Sequence, residues 1–331
     1  MRIGLIDLDG KGFPNLPLMK ISAYHKARGD SVEWYDAMFS GHMDKVYVSK
    51  VFSASPDYDR YIDADEVVYG GSGYCISKVN GREAYDRTKE TPLPDEIEHM
   101  YPDYDLYGIT DCAYGFLSRG CPNNCGFCHV CAKEGRISHK VADLNEWWHG
   151  QKNIVLMDPN ILACRDHMDL LRQLEESGAR IDINQGLDAR LLNPENIAAI
   201  KRLKIKEIHF AWDQMKHTDR ILRGLNLWKQ LGKKSAHGAW GMVYVLTNFD
   251  STMEENLHRV YTLDQMGFDP YCMIYDKENA PQEIRDLQRW CNNKIIFKKC
   301  KRFEDYKPRK EKAEQKTEGE EDYEQSCIQQ Q

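Results

Sequence analysis

Four cysteines fall within the stretch SRGCPNNCGFCHVC, residues 118–131. Cys121, Cys125 and Cys128 follow a C-x3-C-x2-C spacing, and Cys131 adds one further C-x2-C step. Thiols concentrated in this way serve a disulfide knot, a zinc site or an iron–sulfur cluster, or they meet by chance in a core. Structural zinc needs four ligands, often in two C-x2-C knuckles well apart in sequence. Here all four thiols crowd one loop, with no second knuckle beside them. Closely spaced thiolates suit the irons of a cubane better, and ferredoxin runs use short C-x2-C steps. Those runs are followed by proline, and two-cluster ferredoxins carry a second run; this chain has neither.

The rest of the chain bears on the disulfide option. The start, MRIGLIDLDG, reaches Asp7 and Asp9 almost at once and lacks the apolar core and cleavage site of a signal peptide. No apolar run approaches the roughly 18–20 residues that span a membrane. The expectation is a cytoplasmic protein, with no membrane partner, whose thiols stay reduced. The chain has 331 residues, 11 cysteines and a formal net charge of -7, with 41% hydrophobic and 29% charged residues. That length suits about two domains. The acidic balance and the lack of a basic, aromatic-interleaved face give no indication of a nucleic-acid partner. Basic KRLKIK, 201–206, reads as a solvated helix face.

The cysteine loop must be positioned by the elements around it. RIGLIDL, SVEWYDA, KVYVSKVF and EVVYGG read as strands, and NLPLMKISAYHKARGD as a helix with Gly29 as its stop. This is the order of a small Rossmann-like open α/β sheet over 1–80. Gly70, Gly71 and Gly73 end its last strand as a turn, or as a close backbone approach to a ligand. A proline- and charge-rich connector covers 81–112, with one short helix near LPDEIEHMY.

A second α/β series over 113–300 begins at YGFLSRG and places strands at 153–158, 179–186, 207–212, 239–248 and 270–276, with helices between. Six strand–helix units of this length imply a parallel sheet and an incomplete, laterally open (β/α)6 partial TIM barrel. In ARIDINQG, Arg180, Asp182 and Asn184 alternate with Ile181 and Ile183. One face of that strand is polar, as in a barrel interior or at a wet edge strand. The segment 301–331 is a charged tail with few apolar residues, expected to be disordered, and Cys327 in it is an incidental thiol. The cysteine loop follows the first strand of the second series, at the end where parallel α/β enzymes place their chemistry.

C-x3-C-x2-C with an aromatic before the third cysteine resembles the signature of the radical S-adenosylmethionine (radical SAM) superfamily. It reads here Cys121-Pro-Asn-Asn-Cys125-Gly-Phe127-Cys128. The resemblance covers residues 113 to about 300, where the family carries a six-unit partial barrel. It implies that Cys121, Cys125 and Cys128 bind three irons of a [4Fe–4S] cluster, leaving the fourth for S-adenosylmethionine. It further implies a 5′-deoxyadenosyl radical that abstracts hydrogen from a substrate, and an electron donor such as flavodoxin or ferredoxin. Phe127 matches the aromatic near the adenine. Cys131 lies outside the pattern and reads as a core thiol or a neighbour of the cluster. The family's Gly-Gly-Glu stretch after the second strand is replaced by LMDPN, where Asp158 and Asn160 are the substitutes.

Further polar residues gather at predicted C-terminal strand ends: Asn184, Gln185, Asp188 and Arg190, then Asp213, Asn248, Tyr275 and Asp276. Amides and carboxylates suit ribose hydroxyls, and a cation such as Arg190 suits a carboxylate. Taken singly, these residues also suit turns and helix caps, and Asp250 with Ser251 reads as a cap. The N-terminal segment resembles the cobalamin-binding domain of many such enzymes in fold order only. The Asp-x-His-x-x-Gly ligand motif is missing after the first strand, where DLDGKGFPN stands, and His25 falls within the next helix. Cobalamin is therefore not expected, and the absence of a second cysteine motif disfavours sulfur insertion. The competing expectation is a non-catalytic metal-binding module, holding zinc or an electron-transfer cluster on the same loop.

Overall fold

The computed structural model describes residues 1–10, 12–79, 82–205, 207–235 and 237–308. It shows a mixed α/β chain with parallel sheets, divided into two compact units. The first comprises Met1–Phe210 and Asp219–Trp240; the second comprises Ala211–Thr218 and the chain from Gly241 onward.

The first unit opens with β1 (Arg2–Asp7), α1 (Leu16–Ala27), β2 (Ser31–Trp34), β3 (Met43–Ser49) and β4 (Ala64–Gly70). Their strands are parallel in the order β2-β1-β3-β4. Ile3 and Leu5 pack with Leu18 and Ile21 of α1, whereas Ile6 packs with Met43, Val46 and Val48. Burial on both faces explains why RIGLI is nearly continuous in apolar residues. The Asn15 side chain caps α1 by accepting from Leu18 N, and Gly29 beyond its end has a φ of 83°.

The glycines after β4 serve the chain's own packing. Gly71 has a φ of 104°, and a Cβ there would lie 2.2 Å from the Lys50 carbonyl oxygen. A Cβ on Gly73 would meet the Phe52 carbonyl oxygen at 2.8 Å. The close approach is thus to the Lys50–Phe52 backbone. Asp9 fixes the same segment by accepting from Val51 N at 2.6 Å, Phe52 N at 3.1 Å and Ser55 Oγ at 2.6 Å. His25 is buried, with Nδ1 2.7 Å from Asp30 and Nε2 3.1 Å from the Tyr47 hydroxyl.

An antiparallel pair, β5 (Ile76–Val79) and β6 (Arg82–Tyr85), follows, then the short α2 (Asp95–Glu98). The second parallel sheet of this unit holds β7 (Cys112–Gly115). After it come β8 (Ser118–Arg119), α3 (Val130–Glu134) and β9 (His139–Lys140). Next are β10 (Asn153–Leu156), α4 (His167–Ser177), β11 (Arg180–Ile183), α5 (Pro194–Arg202) and β12 (Lys204–Ile205). The sheet order is β12-β11-β10-β7, all parallel.

Two sequence expectations are corrected here. KRLKIK is not one helix face: α5 ends at Arg202, and Lys204 and Ile205 pair with Arg180 and Ile181. Ile205 is β-branched, and its pairing with Ile181 outweighs the helical propensity of the flanking lysines. β11 is also not an edge strand, since it lies between β10 and β12, and its alternation reflects one buried and one exposed face.

The chain enters the second unit within β13 (His209–Ala211) and returns through α6 (Thr218–Leu231). The second unit then holds β14 (Met242–Thr247), α7 (Met253–Met266), β15 (Asp269–Ile274), α8 (Gln282–Asn292) and α9 (Lys294–Lys299). β14 and β15 are parallel over a core of Val260, Cys272, Leu287, Trp290, Cys291 and Phe297. The α7 cap is Thr252, not Asp250 or Ser251: its side chain accepts from Glu255 N while the Glu255 carboxylate receives Thr252 N. Phe303 and Tyr306 pack on the same core, so the folded chain runs past residue 301. The remainder of the expected tail, 309–331 with Cys327, lies outside the described residues. Among the described residues no helix is long and apolar enough to cross a membrane.

Candidate metal centre

The cysteine loop is closed at its base by β8 and β9, with Ser118 opposite Lys140 and Arg119 opposite His139. Glu134 adds a clamp from the far side of the loop. Its carboxylate accepts from Arg119 Nη1 at 3.1 Å and from Gly120 N at 3.0 Å, and Cys121 N donates to Gly135 O at 3.2 Å. Gly120 has a φ of 86°, and a Cβ there would lie 2.1 Å from the Ile137 carbonyl oxygen. Only glycine lets the two ends of the loop approach so closely. Within the loop, Cys128 N donates to Cys125 O at 3.1 Å, forming a tight turn between the second and third cysteines.

Cys121 is buried, Cys125 half-buried and Cys128 exposed. Cys131 is half-buried rather than in the core, and its Sγ lies 3.0 Å from Cys121 O and 2.8 Å from Asn123 O, which share its one S–H. Burial first, then the neighbouring Cys121, pushes the Cys131 thiol upward, so it remains a protonated donor. This thiol is engaged in bracing the loop backbone. Among the described residues, no three His, Cys, Asp or Glu side chains stand together as a metal-binding group. Phe127 is half-buried beside Cys128 in sequence.

The segment after β10 and the turn after β11 supply the polar wall. Asn160 is 4% exposed; its Nδ2 lies 3.6 Å from Cys121 Sγ and 3.3 Å from Asp188 Oδ2, while its buried Oδ1 has no partner. Asn123 Nδ2 donates to the same Asp188 oxygen at 2.9 Å. Arg190 grips Asp188 with two bonds of 2.7 Å, from Nε and Nη2. Burial alone would raise the Asp188 carboxyl, but Arg190 and the Asn123 amide together hold the group below the usual carboxylate range. Cys125 and Cys121 add to the pull that keeps Arg190 charged, after Asp188 itself. The structure therefore brings Cys121, Asn123, Asn160, Asp188 and Arg190 into one network.

Asp158, proposed from sequence as a cofactor contact, is turned toward the loop's stem. Fully buried, it accepts from Leu117 N at 2.8 Å, Ser118 N at 2.7 Å and Ser118 Oγ at 2.5 Å. Burial pushes its carboxyl up to about 7, against the opposing pull of these donors. Asn184 is half-buried at the end of β11, where its backbone N donates to Leu156 O at 3.1 Å, and Gln185 is exposed.

Asp213, Asn248, Tyr275 and Asp276 belong to the second unit. There Asn248 Nδ2 donates to Tyr275 O at 2.8 Å, tying the ends of β14 and β15. Arg259, fully buried, donates to the carbonyls of Trp212, Asp213 and Leu246 at 2.8–2.9 Å. Asn248, Asp250 and Asp276 all have positive φ, as strand-end turns ask of Asn and Asp.

Sequence reasoning missed Glu134 and Asn123, which belong to no spacing pattern, and the bracing role of Cys131, whose C-x2-C step pointed to metal binding instead. It also missed the β5–β6 hairpin, whose Glu83 meets His129 at 2.7 Å next to the third cysteine. The Asn80–Gly81 dipeptide between two strand-like runs was the available signal for it. The chain matches no protein-family model and no curated protein.

Proposed function

We propose that the chain is a radical S-adenosylmethionine enzyme in which Cys121, Cys125 and Cys128 hold a [4Fe–4S] cluster. The observation that carries this reading is the three-thiol loop at the C-terminal end of a parallel strand, clamped at its base and faced by an amide–carboxylate–guanidinium network. The chemistry of the donors suits the group: three thiols at the motif's spacing are in no disulfide, while the fourth, Cys131, is turned to the loop backbone. Three of the six expected strands, β7, β10 and β11, are parallel neighbours in one sheet, which supports the (β/α)6 partial-barrel reading of this region. When bound, the cluster supplies the electron that cleaves the sulfonium to a 5′-deoxyadenosyl radical.

The protein's own residues bind and orient. The unpartnered Asn160 Oδ1 offers a buried acceptor for the amino group of S-adenosylmethionine. Arg190 Nη1, left over from the bond to Asp188, offers a donor for its carboxylate. Asn184, in the same unit as the loop, remains assigned to a polar contact with the nucleoside, and Phe127 to the adenine. The electron comes from an external donor of the flavodoxin or ferredoxin kind. The substrate is a molecule that gives up a hydrogen atom.

The test is anaerobic reconstitution with iron and sulfide, followed by S-adenosylmethionine and dithionite, read by mass spectrometry. The expected result is a brown protein that forms methionine and 5′-deoxyadenosine, even slowly without substrate. A fully loaded protein that neither binds S-adenosylmethionine nor forms 5′-deoxyadenosine would leave the non-catalytic metal-binding module standing instead.

A further inference from the structure

The three proposed ligand sulfurs differ in their surroundings. Cys125 is half-buried and Cys128 exposed, whereas Cys121 is only 9% exposed. Water can solvate charge on the outer sulfurs. Charge on the Cys121 sulfur must be matched by protein dipoles, because burial of an unmatched charge is costly. Asn160 provides the match: its Nδ2 is 3.6 Å from Cys121 Sγ, across 39 residues of sequence.

The orientation of this amide is set by a second contact. Nδ2 also lies 3.3 Å from Asp188 Oδ2, and an ionised carboxylate can only accept. Turning the amide over would place its oxygen against both the carboxylate and the sulfur. The Asn160 backbone is held as well, since its carbonyl oxygen accepts from Ser138 Oγ at 3.2 Å and from Ala163 N at 3.2 Å. The N–H directed at the sulfur is thus fixed from both ends.

We propose that Asn160 is a positioning residue for the Cys121 thiolate, and that its N–H···S bond raises the reduction potential of the bound cluster. This rests on the reading of Cys121 as an iron ligand. A hydrogen bond to a ligand sulfur stabilises the electron-rich reduced state more than the oxidised state, so it shifts the potential upward. It also lowers the tendency of that sulfur to leave the iron.

The experiment compares wild type, Asn160→Leu, Asn160→Gln and Asn123→Ala after anaerobic reconstitution. Three quantities are read: iron and sulfide per chain, midpoint potential by redox titration, and the half-life of the cluster against a chelator. Asn160→Leu removes the donor at similar volume and is expected to shift the potential to a more negative value. Its cluster should also be lost to chelator faster than in wild type, in line with the roughly 10–100-fold loss of metal affinity usual on removing such an outer hydrogen bond. Asn160→Gln, which keeps an amide, should fall between. Asn123→Ala removes the other amide on Asp188 without touching the sulfur, and its potential should match wild type. An unchanged potential in both Asn160 variants, or an equal shift in Asn123→Ala, overturns the proposal. Should Asn160→Leu take up no iron, the Gln variant decides by its potential alone. Wild-type protein that takes up no cluster overturns the reading of Cys121 as a ligand, and the proposal with it; a wild-type cluster with unshifted variants overturns only the role of Asn160.

Discussion

Asp158 and Ser118 are joined twice: one carboxylate oxygen of Asp158 receives both the backbone N–H of Ser118, at 2.7 Å, and its hydroxyl, at 2.5 Å. The other oxygen receives Leu117 N at 2.8 Å. The chain leaves β7 at this point, three residues before the first cysteine. The carboxylate therefore sets the direction in which the metal-binding loop departs. A buried acidic group at such a bend acts on the loop through backbone geometry, at a distance from the sulfurs themselves.

The pH dependence of this anchor follows from its burial, which lifts the carboxyl to about 7 in the folded chain. The unfolded value is about 3.9. A group whose folded pKa is the higher one binds more protons when folded. Its contribution is fully present below about pH 4 and is lost as pH rises to about 7, by on the order of 4 kcal/mol at most. Asp158→Asn removes this titration and leaves one donor of the bend poorly paired, at about 1–3 kcal/mol. Urea unfolding of the metal-free protein should show wild type ahead of Asp158→Asn at pH 5, with the gap narrowing by pH 8. A gap that is constant or widens with pH would show that the carboxyl is not raised.

The four loop cysteines should separate into two classes. Cys121→Ala, Cys125→Ala and Cys128→Ala are expected to lose most iron and sulfide after reconstitution. Cys131→Ala should keep the cluster but lose the one S–H that Cys121 O and Asn123 O share, lowering stability by about 1 kcal/mol. Cys131→Ser, which retains a donor, should recover part of that loss. Full cluster loss in Cys131→Ala with retention in Cys125→Ala would reverse the assignment of the open iron site.

The sequence made visible those features with a period or a fixed spacing. RIGLIDL became β1, and the apolar rows of α4, α5 and α7 lie where their spacing placed them. The Cys121–Cys128 spacing located the loop on its own. Less legible were elements held by tertiary contact. Ser118–Arg119 and His139–Lys140 are too short to show alternation, yet their pairing closes the loop. KIIFKK carries apolar residues suited to a strand, but Asn293 caps it as a helix that buries Phe297. Asp158 was visible as a polar residue at a strand end, but the sequence does not say which backbone groups it would meet. Glu134 carried no motif at all, and its role appears only once β8 and β9 bring Gly120 beside it.

Gly120 and Gly135 offer a matched pair of tests. Both have positive φ, 86° and 91°, but only a Cβ on Gly120 meets backbone, at 2.1 Å from Ile137 O. A Cβ on Gly135 meets nothing within 4 Å. Gly135→Ala should cost about 1–3 kcal/mol, the penalty of its extended positive-φ backbone alone. Gly120→Ala should cost more by about 1–3 kcal/mol, because the backbone must also move, and it should reduce iron uptake. Thermal unfolding and iron content of the two variants check this. Equal costs would mean that the stem of the loop yields without strain.

The last prediction concerns Asp188 and Arg190, which face the loop as a bidentate pair with two bonds of 2.7 Å. Their side chains are 10% and 16% exposed, so each is shielded enough that losing its partner is costly. Arg190→Ala strands a carboxylate that retains only the amides of Asn123 and Asn160 as side-chain donors among the described residues. Breaking such a pair costs about 3 kcal/mol or more at neutral pH. The sign of the pH effect follows from the depressed Asp188 carboxyl. Its contribution is present above the unfolded pKa, near 3.9, and is lost as pH falls through the lower folded value. In Arg190→Ala the opposing cation is gone and burial pushes the carboxyl upward, so acid relieves the stranded charge. The deficit relative to wild type should therefore be largest near pH 7 and shrink by about pH 4. Asp188→Asn in the same background should recover much of the loss, since the neutral amide needs no cation. A double-mutant cycle by urea unfolding of the metal-free protein measures the coupling directly. A coupling near zero, or a deficit that grows on acidification, would show that the pair is held by its surroundings and contributes nothing of its own.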